Sequence, residues 1–357
     1  MTAARPGFLD ADAWRLSGPL AGPLRQAAIA VIPVGIAALV ELETEEVFWG
    51  GLAAATQIAG FIAFDAPART RATWQVICAP LLGLIAALGV LSTDPALLAV
   101  AGMTICGIAG GYCVAGSPRL AIAGMTLVLA FLLAQGFRLD PGDAPRAAAA
   151  ALAGGLIQTL ISATMWALSD RRTESPGLAE RARSAQDALA RNLDLASPAL
   201  RHALRWGIAL GASVAIYRFV DLQGHGYWIP LTVLFVLKPS ADDTWGRLAM
   251  RAVGTIAGLI VATALAEALG TSPVPVAIAL GIAGAFAYAM LALEYALFTA
   301  AITVFVVLLT DSLGEAAWKA ADQRALGTVL GIAVAALAIV LTTRGGSRAR
   351  AQTAQVT

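Results

Sequence analysis

Charge is scarce in this chain. Charged residues make up 13% of its 357 residues, about half the share of an ordinary soluble domain. Lysine occurs at Lys238 and Lys319 alone, against many arginines. A water-soluble fold of this length could not cover itself with so few charges, whereas lipid accepts an apolar surface. Histidine stands only at His202 and His225, and cysteine only at Cys78, Cys106 and Cys113. The three thiols lie in apolar runs without metal-ligand spacing and read as small core residues. A metal centre, a phosphate loop and a nucleophile–base pair are all missing, so the sequence predicts no enzyme and no cofactor. The net charge of +1 leaves no basic patch once the loops are assigned, so nothing points to nucleic acid and none is expected as a partner. The opening stretch carries Asp10 and Asp12 and no apolar h-region, so no cleavable leader is expected. Trp14–Gln26 mixes Trp, Leu and Arg and reads as an interfacial helix.

What is abundant is apolar. Hydrophobic residues make up 59% of the chain, and they fall into twelve runs. The first six are Gln26–Val40, Val47–Phe64, Trp74–Leu91, Pro95–Ala115, Leu120–Gly136 and Arg146–Leu168. The second six are Ala203–Val220, Tyr227–Leu237, Ala252–Leu269, Pro273–Leu293, Tyr295–Thr310 and Ala325–Thr342. A span needs about 20 residues, fewer where the bilayer thins or flanking side chains reach out. The runs lack strand alternation, and lipid admits only helices and closed barrels. The expected fold is therefore an all-α integral membrane protein of about twelve transmembrane helices. The expected organisation is a cytoplasmic or interfacial segment over 1–25, a six-helix repeat over 26–168, and a cytoplasmic linker over 169–202. A second six-helix repeat over 203–342 and a cytoplasmic tail over 343–357 follow. Leu178, Ala182, Ala185, Leu189 and Leu193 share one stripe, which places a short helix in the linker. Ser197-Pro198 reads as an N-cap with proline at the first helical position.

Basic residues give the orientation. With both termini on one side, most of the 24 Lys and Arg residues share that side. Arg138, Arg146, Arg218, Lys319 and Arg324 stand on the other. Both termini are thus expected in the cytoplasm of a bacterial cell, with the bundle in the inner membrane.

The halves echo each other. Gly107-Ile108-Ala109-Gly110 answers Gly281-Ile282-Ala283-Gly284, and Trp49 opens the second run as Trp228 opens the eighth. Six spans per half is an even number, so the repeats are parallel, related by an axis along the membrane normal. A second echo lies within the C-terminal half. Arg251-Ala252-Val253-Gly254-Thr255-Ile256-Ala257-Gly258 and Arg324-Ala325-Leu326-Gly327-Thr328-Val329-Leu330-Gly331 both read R-A-x-G-T-x-x-G. Glycines at i and i+4 make a face on which helices pack closely. On the topology above, Arg251 and Arg324 stand at opposite mouths of an anion path.

Tyr227-Trp228-Ile229-Pro230-Leu231-Thr232-Val233-Leu234-Phe235-Val236-Leu237-Lys238-Pro239 is followed by Thr244, Arg247, Arg251 and Gly254-Thr255-x-x-Gly258. In this stretch, and in Tyr295-Ala296-Leu297-Phe298-Thr299 running on to Thr303, the chain resembles the fusaric acid resistance family. That family belongs with the aromatic acid exporters and is distantly similar to the aluminium-activated malate transporters. The match is specific over Tyr227–Leu309. In the first half Trp49 and Arg71 hold its place. The resemblance implies secondary export of small organic anions, aromatic carboxylates above all, across the inner membrane and driven by protons. It also leaves room for a homo-oligomer or a periplasmic adaptor as partner. Many relatives carry sizeable soluble regions after each bundle. Here only Ser169–Arg205 and a short tail stand in those places.

Each candidate residue has a plainer alternative. Arg71 and Arg251 occupy like positions before the third and ninth runs, where a guanidinium would funnel a carboxylate; positive-inside placement explains them equally. Arg146 and Arg324 go against that placement, which favours a pathway role. Trp228, Pro230 and Thr232 open the eighth run, where a proline break exposes carbonyls beside an aromatic platform; Trp228 could equally be a belt residue. Thr126 and Thr303 either face a path or bond their own helices. Glu294, between two runs, is a proton-coupling candidate, or else sits in a solvated turn. His225 is a second proton candidate, or simply a loop histidine. Glu41, Glu43, Glu45 and Glu46 read as a solvated outer loop. A passive anion channel and a non-transporting membrane scaffold remain open beside the exporter.

Overall fold

A computed structural model of the chain describes residues 16, 21–44, 47–168, 178–220, 226–270, 272–291, 293–312 and 317–354. Among the described residues all regular structure is helical. Six helices come first: α1 (Ala21–Thr44), α2 (Val47–Gly60), α3 (Ala68–Leu91), α4 (Ala96–Tyr112), α5 (Pro118–Gly136) and α6 (Ala144–Ala167). The polar helix α7 (Leu178–Arg191) follows. Six more complete the chain: α8 (Pro198–Phe219), α9 (Trp228–Val236), α10 (Ala241–Leu269), α11 (Pro273–Leu291), α12 (Tyr295–Ser312) and α13 (Ala317–Ala354).

Among the described residues eight helices are long and apolar enough to cross a membrane: α1, α3, α4, α5, α6, α10, α11 and α13. This makes the chain a membrane protein with several apolar helices. The sequence expected about twelve spans, and the difference has local causes. α2 has 14 residues and α9 only 9, and a nine-residue helix rises about 14 Å. α8 is long enough, but Arg201, Arg205 and Arg218 dilute its apolar character. α12 is apolar but short.

Local chemistry sets these ends. Ser197 Oγ accepts the Ala199 N–H at 3.3 Å and Pro198 takes the first helical position, as the sequence predicts. Pro239 keeps Lys238 out of the helical region, so α9 stops at Val236. Ser240 Oγ then accepts the Asp243 N–H at 3.1 Å and opens α10, with Asp242 and Asp243 at the positive end of its dipole. α7 is tied to the bundle where Tyr112 donates to the Leu189 carbonyl.

The two sets of six helices make matching contacts. α3 packs on α5 and α6, and α10 on α12 and α13. α1 and α2 meet as α8 and α9 do; α4 and α5 meet as α11 and α12 do; α2 meets α6 as α9 meets α13. Between the sets, α4 packs on α8 and α1 on α11. The glycines of the four-residue echo are not equivalent, however. A Cβ on Gly107 would come within 2.8 Å of Gly207 Cα, whereas Gly281 has open space beside it.

Candidate functional site: a buried cationic chamber around α9

Every residue of α9 is buried, and it packs against α5, α8, α10 and α13. The R-A-x-G-T-x-x-G echo explains how α13 comes so close to α9, and α10 to α12. On α10, a Cβ at Gly254 would meet the Ala296 carbonyl, and one at Gly258 would lie 2.7 Å from Thr303 Cβ. On α13, a Cβ at Gly327 or Gly331 would strike Trp228 or Thr232 of α9. Glycine is needed at these positions because backbone meets side chain with no room between. These contacts set Thr299 and Thr303 against α10 and Thr232 against α13.

Two arginines lead these glycine faces. Arg251 is 0% and Arg324 1% exposed. Arg324 Cζ lies 4.3 Å from the centroid of the Trp228 ring, and Arg251 Cζ 5.8 Å from that of Phe235. The two rings stand on one short helix, seven residues apart, or about 10 Å along its axis. The guanidiniums are close enough to repel one another, and Tyr227 and Tyr295 face Arg324. None of the six guanidinium nitrogens has a hydrogen-bond partner among the described residues, nor do the hydroxyls of Thr232, Thr255, Thr299, Thr303 and Tyr295. A charge inside the membrane costs about 2.5–3.5 kcal/mol on insertion scales even with rescue by snorkelling. Two such charges, each on an aromatic face and with unpartnered hydroxyls on the same helices and their neighbours, make a buried cationic centre, the chamber, whose chemistry is complementary to an anion carrying a ring.

Further cations gather at the C-terminal end of α9. Arg205 of α8 donates to the carbonyls of Lys238 and Pro239 at 2.8 and 2.9 Å, neutralising the end of the helix. Arg247 lies over the Tyr295 ring at 4.2 Å. Burial, and then the neighbouring Arg247, push the Lys238 amine down to about 7, with Asp243 opposing.

Several expectations change. Arg251 and Arg324 are not one at each mouth; they share one chamber, because α10 begins at Ala241 and carries Arg251 well inside the helix. Arg71 and Arg251 are not in like positions: Arg71 lies in the first turn of α3. It is buried, with Nε donating to Ser162 Oγ at 2.9 Å. Arg146 lies on the surface, its side chain 80% exposed and paired with Asp143 at 3.2 Å. Pro230 breaks nothing, because it falls in the first turn of α9, where the missing N–H has no helical partner. Thr126 bonds its own helix, donating to the Ile122 carbonyl at 2.8 Å, whereas Thr303 does not. Glu294 is buried, not solvated. One oxygen accepts the Leu297 N–H at 2.6 Å and caps α12, and the other has no partner among the described residues. Glu41 is likewise buried, folded over Gly50, while Glu43 is exposed. His225, Glu45 and Glu46 lie outside the described residues. Sequence reasoning passed over Thr255 and Phe235. The threonine inside each glycine echo was the available signal.

The described helices and this chamber define a polytopic α-helical membrane protein with unpaired cations in its interior. Residues 210–339, which contain the whole chamber, match the family model described as fusaric acid resistance protein-like. The resemblance read at Tyr227–Leu309 is therefore borne out. The chain is 32% identical over 151 residues to the inner membrane protein YccS of Escherichia coli, covering 42% of this chain and 21% of that protein. It is 33% identical over 143 residues to an uncharacterized protein of Haemophilus influenzae, covering 40% and 20%. It is 30% identical over 153 residues to an uncharacterized protein of Neisseria gonorrhoeae, covering 43% and 36%. The chain spans about a fifth of the length of the first two. No solved structure matches it.

Proposed function

We propose that this chain carries small organic anions, aromatic carboxylates above all, outward across a bacterial inner membrane through the chamber around α9. The observation that carries the reading is the pair of fully buried guanidiniums of Arg251 and Arg324, each on an aromatic face and without a hydrogen-bond partner among the described residues. A carboxylate entering the chamber gains two charge-assisted donors, and its ring finds Trp228, Phe235, Tyr295 and Phe298 along the same wall. The cations Arg205, Lys238 and Arg247 mark the mouth on the side assigned to the cytoplasm, which suits capture from within. The kinship with an inner membrane protein supports the location. Matching helix pairs support two parallel six-helix repeats, twelve membrane-crossing segments and both termini inside. α2 and α9 are the short members of the two sets, and short segments in corresponding places point to a transport site. Coupling to protons is assigned to the free oxygen of Glu294.

The test is efflux of labelled benzoate from proteoliposomes holding the purified full chain. Arg251→Gln and Arg324→Gln should each insert normally and lose at least about tenfold in rate, the scale of one charge-assisted contact. Arg→Lys should rescue if a point charge suffices, and fail if the planar fork is needed. Normal export by both Gln variants would sink the reading. The buried cap role of Glu294 keeps a passive channel in view: a rate indifferent to an imposed pH gradient would favour it.

A further inference from the structure

A third buried arginine lies in the first six-helix set, across a wall of rings. Phe298 packs against Phe235 of the chamber on one side and Phe61 on the other, and Phe61 and Phe64 close on Tyr288. Behind Phe64 is a small cavity with room for a single water-sized occupant. Arg71, 4% exposed, lines it. Its Nε donates to Ser162 Oγ at 2.9 Å and its Nη2 contacts Met165 Sδ at 3.4 Å, while Nη1 has no partner among the described residues.

The rest of the lining is amide and apolar. Ser162 spends its proton on Gln75 Oε1 at 2.7 Å. The side-chain amides of Gln26, Gln75 and Gln158 each give an N–H to a main-chain carbonyl, of Phe64, Ala59 and Ala30 respectively. Each amide nitrogen keeps a second hydrogen. No acidic residue lines the cavity among the described residues, so the Arg71 charge is met there by hydrogen-bond acceptors but by no counter-charge. A water would satisfy Nη1 without neutralising the guanidinium. A small anion would do both, and the size of the space rules out a carboxylate with a ring attached.

We propose that this cavity binds a single halide ion, chloride under physiological conditions, held by Arg71 Nη1 and the spare amide hydrogens. The site is separate from the organic-anion chamber and does not depend on the transport reading. The full chain in nanodiscs, melted in sodium gluconate and titrated with sodium chloride, should show a saturable rise in Tm of about 2–4 °C. Sodium bromide should do the same. Arg71→Gln should abolish the rise while Arg251→Gln keeps it. Anomalous scattering from wild-type crystals grown in bromide gives a readout that needs no variant, and a peak beside Arg71 is expected. The proposal is overturned if Tm ignores halide, if Arg71→Gln keeps the response, or if bromide appears only at Arg251 and Arg324. In each case the cavity would be a water site.

Discussion

Both halves of this protein bury arginine, and they treat it in opposite ways. In the first half, Arg71 is knitted into a chain that runs through Ser162 to Gln75, and Gln26, Gln135 and Gln158 satisfy loose carbonyls. In the second half, Arg251 and Arg324 meet aromatic faces, and the threonines around them keep hydroxyls without partners among the described residues. Unpaired buried donors cost free energy, so a fold that only needed to be stable would have filled this space with apolar side chains. The first half ties its arginine down through Nε and Nη2 and leaves Nη1 alone open, in a space for one small occupant. The second leaves both guanidiniums open, ready for a larger negatively charged partner. The family match falls on that second half.

The comparison can be broken most forcefully at the glycines. If the closeness of α10 to α12 builds the chamber, Gly258→Leu must force the helices apart against Thr303 and the Ala300 carbonyl. A loss of about 3 kcal/mol or more is expected, read as a collapse of the folded fraction in detergent. Gly35→Leu in α1 faces open space and should be neutral or slightly stabilising through helix propensity. Equal damage from both would mean that α10 and α12 are not in intimate contact.

A sharper contrast comes from the arginines themselves. Arg71→Gln removes a hydrogen bond that Ser162 and Gln75 rely on, and should lower stability by roughly 1–3 kcal/mol. Arg251→Gln and Arg324→Gln remove charges with no hydrogen-bond partner, and should leave Tm unchanged or raise it while transport is lost. Melting curves of the three purified variants, in gluconate and without substrate, decide this. A lower Tm for all three would show that the second-half arginines are structural.

How much of this could be read beforehand follows from how hydropathy marks an end. Arg251 and Arg324 stand out by their shared motif, and the resembling stretches contain Trp228, Thr232 and Thr303. Their depth was misjudged because an apolar run ends where charge begins, whereas a helix ends where its backbone is capped. Asp242, Asp243 and Arg247 read as loop, yet Ser240 caps a helix that carries all three. Glu41 was lost for the mirror-image reason. It begins an acidic string and looks solvated, yet Gly50 on the facing helix leaves a space that takes its carboxyl. No pattern along one helix shows which glycine lies opposite.

The mouth of the chamber should respond to pH through Lys238. Its amine titrates near 7, far below the usual lysine range, because burial and Arg247 disfavour the charged form. Raising the pH from about 6 to about 8 should remove most of this charge and weaken anion capture several-fold, seen as a rise in KM for efflux with kcat little changed. Stability should move the other way. Between about 7 and the unfolded lysine value the unfolded chain binds the extra proton, so stability rises with pH across that window. Lys238→Arg should flatten the KM profile and Lys238→Met should hold it at the high-pH level. A profile identical in all three would remove Lys238 from the mouth.

The smallest effect is expected at Arg146, which the sequence paired with Arg324 as a cation on the far side. The structure separates them. Arg324 is buried under Trp228, while the Arg146 side chain is 80% exposed and bridges Asp143 three residues earlier, on the first turn of α6. Exposed ion pairs on one helix contribute about 0.3–0.5 kcal/mol and are screened by salt. Arg146→Gln should therefore shift Tm by less than about 1 °C and leave benzoate efflux at the wild-type rate, in the same preparations where Arg324→Gln abolishes it. High salt should erase even the small shift. A large loss of efflux in Arg146→Gln would mean that a surface cation feeds the path from outside, and that the two arginines work as a pair despite their unlike surroundings.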